Sequence, residues 1–146
     1  MKKTLYITLA LIVFTFAAAG TSLACSCIAP TGKVKTQVSN AYKDSAAIFS
    51  GKVISMEKTS DGNYWLVKLA VQTTWKGTST SEITIKTALD SAMCGYRFED
   101  GKEYLVYAHG TAADLYVGNC SRTGSMSKNG DLKYLANLKK KHAAKK

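Results

Sequence analysis

Four cysteines, Cys25, Cys27, Cys94 and Cys120, constrain this chain more than any other feature, because all four follow an apolar N-terminal leader. An even number of cysteines in a small exported chain marks a disulfide framework, so two bridges are expected, in one of three connectivities. A zinc cluster is the competing use. Cys25 and Cys27 lack the two-residue gap of zinc knuckles, and only His109 and His142 could complete a ligand set, so no bound metal is expected.

The leader has the form of a secretory signal. Lys2 and Lys3 open it, an apolar run follows from Leu5 to Ala19, and Ser22-Leu23-Ala24 puts small residues where signal peptidase reads them. Cleavage before Cys25 would remove residues 1–24. The run is short for a bilayer span and lacks a basic stop-transfer cluster, so no transmembrane segment is expected after processing, and the protein is expected to be secreted, to a periplasm or outside the cell. Of the 146 residues, 122 then remain, enough for a single domain and a monomer. A lipid on Cys25 is an alternative that would make the protein an envelope lipoprotein. It would leave one other cysteine unpaired, and Leu23 stands one position nearer the cysteine than lipoproteins place it.

Beyond Pro30, Val34, Val38, Ala41, Tyr42 and Ala46 recur at helical spacing, with Thr31 placed to cap a helix. The pattern then turns to β. Ile48-Phe49, Val53-Ile54 and Met56 are interrupted by Gly51, which marks a bulge or bend. After the turn at Ser60-Asp61-Gly62-Asn63, the residues Trp65, Val67, Leu69, Val71 and Trp75 share one face of the longest strand. Three further strands are predicted at Ile83-Thr84-Ile85, at Tyr104-Leu105-Val106-Tyr107-Ala108 and at Leu115-Tyr116-Val117. Leu132, Leu135 and Leu138 then predict a helix starting near Asp131 and running into the lysines of 139–146. Five short strands without alternating βα units argue for a small antiparallel barrel or sandwich.

Enzymatic chemistry has no visible carrier here. No nucleophile stands with a base, Glu99-Asp100 is the only adjacent acidic pair, the two histidines lie far apart, and no phosphate-binding glycine loop occurs. The reading is a non-enzyme without a cofactor. The chain carries 20 basic and 10 acidic residues, and the leader takes two lysines and no acid, which leaves a net charge of +8. Nucleic acid is not the expected partner, since Trp65 and Trp75 fall on a core face and much of the charge sits in the terminal tail. That tail could meet an anionic surface.

Taken together, Cys25-Ser26-Cys27, the stretch Thr87-Ala88-Leu89-Asp90-Ser91-Ala92-Met93-Cys94-Gly95, Gly101-Lys102-Glu103-Tyr104-Leu105 and Cys120 resemble the inhibitory domain of the tissue inhibitors of metalloproteinases. Ala47-Ile48-Phe49-Ser50-Gly51-Lys52-Val53 and Trp75-Lys76-Gly77 are similar to the netrin-like module to which that domain belongs. The resemblance implies a mainly β fold, a five-stranded antiparallel OB-type barrel, with one helix after the N-terminal cysteines and one at the C-terminus. Together with the leader and the leucine spacing it divides the chain into an expected signal peptide (1–24), a netrin-like barrel domain (25–123) and a C-terminal helix with a basic tail (124–146). It also implies the bridges Cys25–Cys94 and Cys27–Cys120. Functionally it implies a secreted inhibitor whose Cys25 amine and carbonyl chelate the catalytic zinc of a metalloprotease. Ser26 would enter the specificity pocket, and Cys27, Ile28, Ser91, Ala92 and Met93 would contact the protease. Other netrin-like modules bind proteins or polyanions without inhibiting a protease, which is the alternative function.

Overall fold

The computed structural model describes residues 25–77 and 79–143; the expected signal segment 1–24 and the end of the lysine tail lie outside them. Helix α1 (Val34–Asp44) is followed by strands β1 (Ala47–Lys58), β2 (Tyr64–Lys76), β3 (Glu82–Ala88), β4 (Glu103–Thr111) and β5 (Asp114–Tyr116). The two-residue strand β6 (Gly124–Ser125), a 3-10 turn (Met126–Lys128) and helix α2 (Leu132–Ala143) complete the fold. Among the described residues no helix is long and apolar enough to cross a membrane.

The sheet closes on itself. Its order is β1-β2-β3-β5-β4, and β4 pairs back onto β1 from Ala47↔Ala108 to Lys52↔Glu103. This is the OB-type barrel. One pairing departs from the antiparallel expectation, because β3 and β5 run parallel, through Lys86↔Tyr116 and a bond from the Val117 N–H to the Lys86 carbonyl (2.9 Å). The reason is topological: a closed ring with an odd number of strands cannot alternate direction all the way round. At least one neighbouring pair must be parallel.

Gly51 does what its position in β1 predicts. The register between β1 and β2 shifts between Ser50 and Gly51, and a Cβ on Gly51 would lie 2.9 Å from the Ala70 carbonyl oxygen. A bulge without a side chain lets β1 curl and serve two neighbours at once.

Two cores result. Phe49, Val53, Val67, Leu69, Ile85, Val106 and Val117 fill the barrel. Outside it, Ile48, Leu105 and Tyr107 meet Val38 and Tyr42 of α1 and Leu135 of α2. Strand β4 lies between the cores, so Tyr104 to Ala108 are all buried, which explains their unbroken apolar run. Trp75 is a correction to the single-face reading of β2. The register shifts between Ile48↔Lys76 and Phe49↔Thr74, leaving Trp75 as the extra residue, and its ring packs in the helix-side core while Trp65 packs against the barrel core.

Helix α1 also begins differently from its expected start. Its cap is Lys33 without a side-chain bond, and Thr31 does not cap it. Gly32, at φ +83°, turns the chain between Thr31 and the helix. The Gln37 side chain reaches back instead, its Nε2 donating to the carbonyls of Gly32 (2.9 Å) and Pro30 (3.3 Å).

Candidate functional site

Residues 25–31 form neither helix nor strand, so their position depends on cross-links. Cys25 bridges to Cys94 and Cys27 to Cys120, with Cα–Cα distances of 5.1 and 5.2 Å. The bridges close loops of 69 and 93 residues, each stabilising the fold by about 4–5 kcal/mol in the chain-entropy model. They lie side by side, with Cys25 Sγ 4.0 Å from Cys120 Sγ. Cys25, Cys27 and Cys120 hold their sulfurs within 4.8 Å of one another, in a geometry that could suit a metal ion. No cysteine is free, however, and the thiolate is the metal-ligating form, so this cluster is structural.

The two receiving cysteines are brought together by backbone. Asn119 donates its N–H to the Cys94 carbonyl (2.8 Å), and Gly95 and Gly118 form an isolated antiparallel bridge. A side chain on Gly95 would lie 2.1 Å from the Ala88 carbonyl oxygen, so only glycine allows this approach. A short, self-bonded turn carries Cys94. The Asp90 carboxylate accepts the Met93 N–H (3.0 Å), the Ser91 carbonyl accepts the Cys94 N–H (3.1 Å) and the Asp90 carbonyl accepts the Gly95 N–H (2.8 Å). Cys94 itself stands at φ +61°, a left-handed conformation costing a residue with a Cβ about 1–2 kcal/mol.

The structure thus joins Cys25, Ser26 and Cys27 to the turn bearing Ser91, Ala92 and Met93. Ser26, Cys27, Ser91 and Ala92 are exposed and Cys25 is half-buried. Ile28 is 97% exposed and Met93 47%. Ile28 borders a cavity of ≈ 480 Å³ shared with α1 and the segment around Cys120. On the other flank Met93 borders a cleft of ≈ 400 Å³ together with Tyr64 and Tyr116, both of them exposed aromatics. Sequence reading missed this aromatic pair, since Tyr64 and Tyr116 come from strands 52 positions apart.

A buried polar network supports the segment from behind, and it too was missed. Arg122 donates from Nε and Nη2 to the Asp131 carboxylate (2.6 and 2.9 Å) and from Nη1 to Gln37 Oε1 (2.9 Å). The Tyr107 hydroxyl donates to the same carboxylate (2.9 Å). Gln37 in turn holds Pro30 and Gly32, so hydrogen bonds run from Asp131, just before α2, through Arg122 to the N-terminal segment. Burial, with the Asp131 charge beside it, pushes the Tyr107 hydroxyl far above the ordinary tyrosine range. The hydrogen bond to Asp131 raises the Arg122 guanidinium further. The one signal in the sequence was Asp131 at the expected helix start. His109 approaches the Asp44 carbonyl through Nδ1 (3.3 Å).

What the geometry defines is an OB-type barrel with an exposed N-terminal edge cross-linked to a tight turn. No protein-family model and no curated protein matches the chain.

Proposed function

We propose that the protein is a secreted inhibitor of zinc metalloproteases, of the kind formed by the inhibitory, netrin-like domain of the tissue inhibitors of metalloproteinases. One observation carries this reading: Cys25-Ser26-Cys27 and the Ser91-Ala92-Met93 turn form one exposed edge, fastened by two adjacent disulfides. A catalytic zinc keeps one coordination position for water. After cleavage before Cys25, that residue offers an α-amine nitrogen and a carbonyl oxygen in chelating geometry. The amine titrates near ~8, so neutral pH leaves part of it unprotonated and able to bind metal. The Cys25 sulfur is held in its bridge. Ser26 enters the specificity pocket, while Ile28 and Met93 cover the cleft on either side. Because the bridges order this edge beforehand, little entropy is lost on binding.

Inhibition assays against a panel of zinc metalloproteases test the proposal. The mature protein should inhibit at least one, and a small hydroxamate zinc ligand should compete with it. Inhibition unaffected by the hydroxamate, or none across the panel, contradicts the reading.

A second reading is favoured by Lys133, Lys140 and Lys141, exposed on α2 away from its buried Leu135. In it the module binds an anionic surface and no protease. Binding to heparin or anionic vesicles would then weaken with salt and with deletion of 139–146, and would ignore changes before Cys25.

A further inference from the structure

The two cystines are close enough to exchange partners. Cys25 Sγ lies 4.0 Å from Cys120 Sγ, and Cys27 Sγ is within 4.8 Å of both. Thiol–disulfide exchange proceeds by attack of a thiolate on a disulfide sulfur, and access decides which sulfur is attacked first. Cys27 and Cys120 are exposed, whereas Cys25 and Cys94 are half-buried. Cys94 also stands in left-handed backbone, which disfavours any residue but glycine. Exposed and strained cystines are the labile ones.

We infer that the paired cystines form a thiol-exchange site, which takes up one small-molecule thiol at Cys27 and passes the break inward to Cys94. In the first step the thiolate RS⁻ attacks Cys27 Sγ. The R–S–S–Cys27 bond forms, the Cys27–Cys120 bond breaks, and Cys120 leaves with the electron pair as a thiolate. In the second step that thiolate attacks Cys25 Sγ across the 4.0 Å gap. The Cys25–Cys120 bond forms and Cys94 leaves as a thiolate, which takes up the proton that the incoming thiol gave to solvent. One RSH is consumed, two S–S bonds are present before and after, and nothing is oxidised or reduced overall.

The consequence for function rests on the inhibitory reading above. Exchange releases Cys25 from the Ser91-Ala92-Met93 turn and re-anchors it on Cys120, so the surrounding thiol concentration sets the fraction of protein with its edge intact.

Peptide mapping tests the exchange. The oxidised mature protein is treated with reduced glutathione at mildly alkaline pH, acid-quenched and alkylated with N-ethylmaleimide. The first singly thiolated species is then isolated, checked for folded secondary structure by circular dichroism, and digested without reduction. The expected map has the Cys94 peptide released and alkylated, glutathione on Cys27, and Cys120 cross-linked to the N-terminal peptide through Cys25. A Cys94 peptide still cross-linked, with glutathione and alkyl label divided between Cys27 and Cys120, overturns the inference. So does the absence of any thiolated species while the protein stays folded. Cys27→Ser gives a second test by leaving the Cys120 thiol facing the Cys25–Cys94 bridge. A mixture of Cys25–Cys94 and Cys25–Cys120 isomers is expected, and Cys25–Cys94 alone contradicts the exchange. The readout is covalent connectivity, so it is decided independently of protease inhibition.

Discussion

Asp131 is a buried carboxylate at the centre of the polar network beside the helix-side core. It is 4% exposed and accepts from Tyr107 and from two nitrogens of Arg122, so its charge is matched only while all three stay in place. Removing one partner of a buried ion pair strands the other, at a cost of about 3–5 kcal/mol. Asp131→Ala should lower stability by that amount in urea unfolding. The same site predicts an alkaline effect. Tyr107 titrates far above the ordinary tyrosine value in the fold, so above about pH 10 the unfolded chain loses a proton that the folded chain keeps. Stability therefore falls as pH rises, by about 1.4 kcal/mol per pH unit from this group. Tyr107→Phe should be less stable at neutral pH yet lose less stability between about pH 10 and 11, as urea midpoints would report; parallel pH profiles would refute this assignment. Gly95→Ala should cost more than the usual ~1–3 kcal/mol of overpacking, because the contact it makes is with backbone and not with a yielding side chain. None of these roles is visible in composition or spacing. Arg122, Asp131 and Gln37 meet only after α1, α2 and β4 have packed.

At the scale of elements, period-two alternation located β2, short apolar and β-branched runs between turn residues located the other four barrel strands, and Gly51 marked the bend in β1, because those signals are local. The exceptions arise from pairing. Trp75 changes face at a register shift that depends on β1, and β5 runs parallel to β3 because the ring has five members. Strand β6 is two residues held by Tyr104↔Ser125 and Leu105↔Gly124, too short to leave a pattern. Helix α2 was legible from its leucines, and its packing gives it a quantitative role. Leu135 is fully buried against Ile48, Leu105 and Tyr107. Leu135→Ala should therefore cost about 2–5 kcal/mol, measured as a shift in the denaturation midpoint. A change near zero would mean that α2 does not share the core.

At the scale of the whole molecule, the barrel is a closed sheet to which nine irregular residues, 25–33, are fastened by two cystines and by Gln37. The cysteine count told of two bridges, and the resemblance supplied a pairing. Neither could tell that the bridges touch, or that Tyr64 and Tyr116 flank the same edge. On the inhibitory reading proposed above, function depends on the α-nitrogen of Cys25, the chelating atom that cleavage before Cys25 would expose and that takes no part in the bridges. The most direct test is to compare, on a protease that the mature protein inhibits, the inhibition constant of the chain beginning at Cys25 with that of a chain carrying one alanine before it. The extra residue acylates the amine and leaves both disulfides in place, so the account predicts loss of inhibition by several orders of magnitude with unchanged thermal stability. Equal inhibition by the two chains would contradict it.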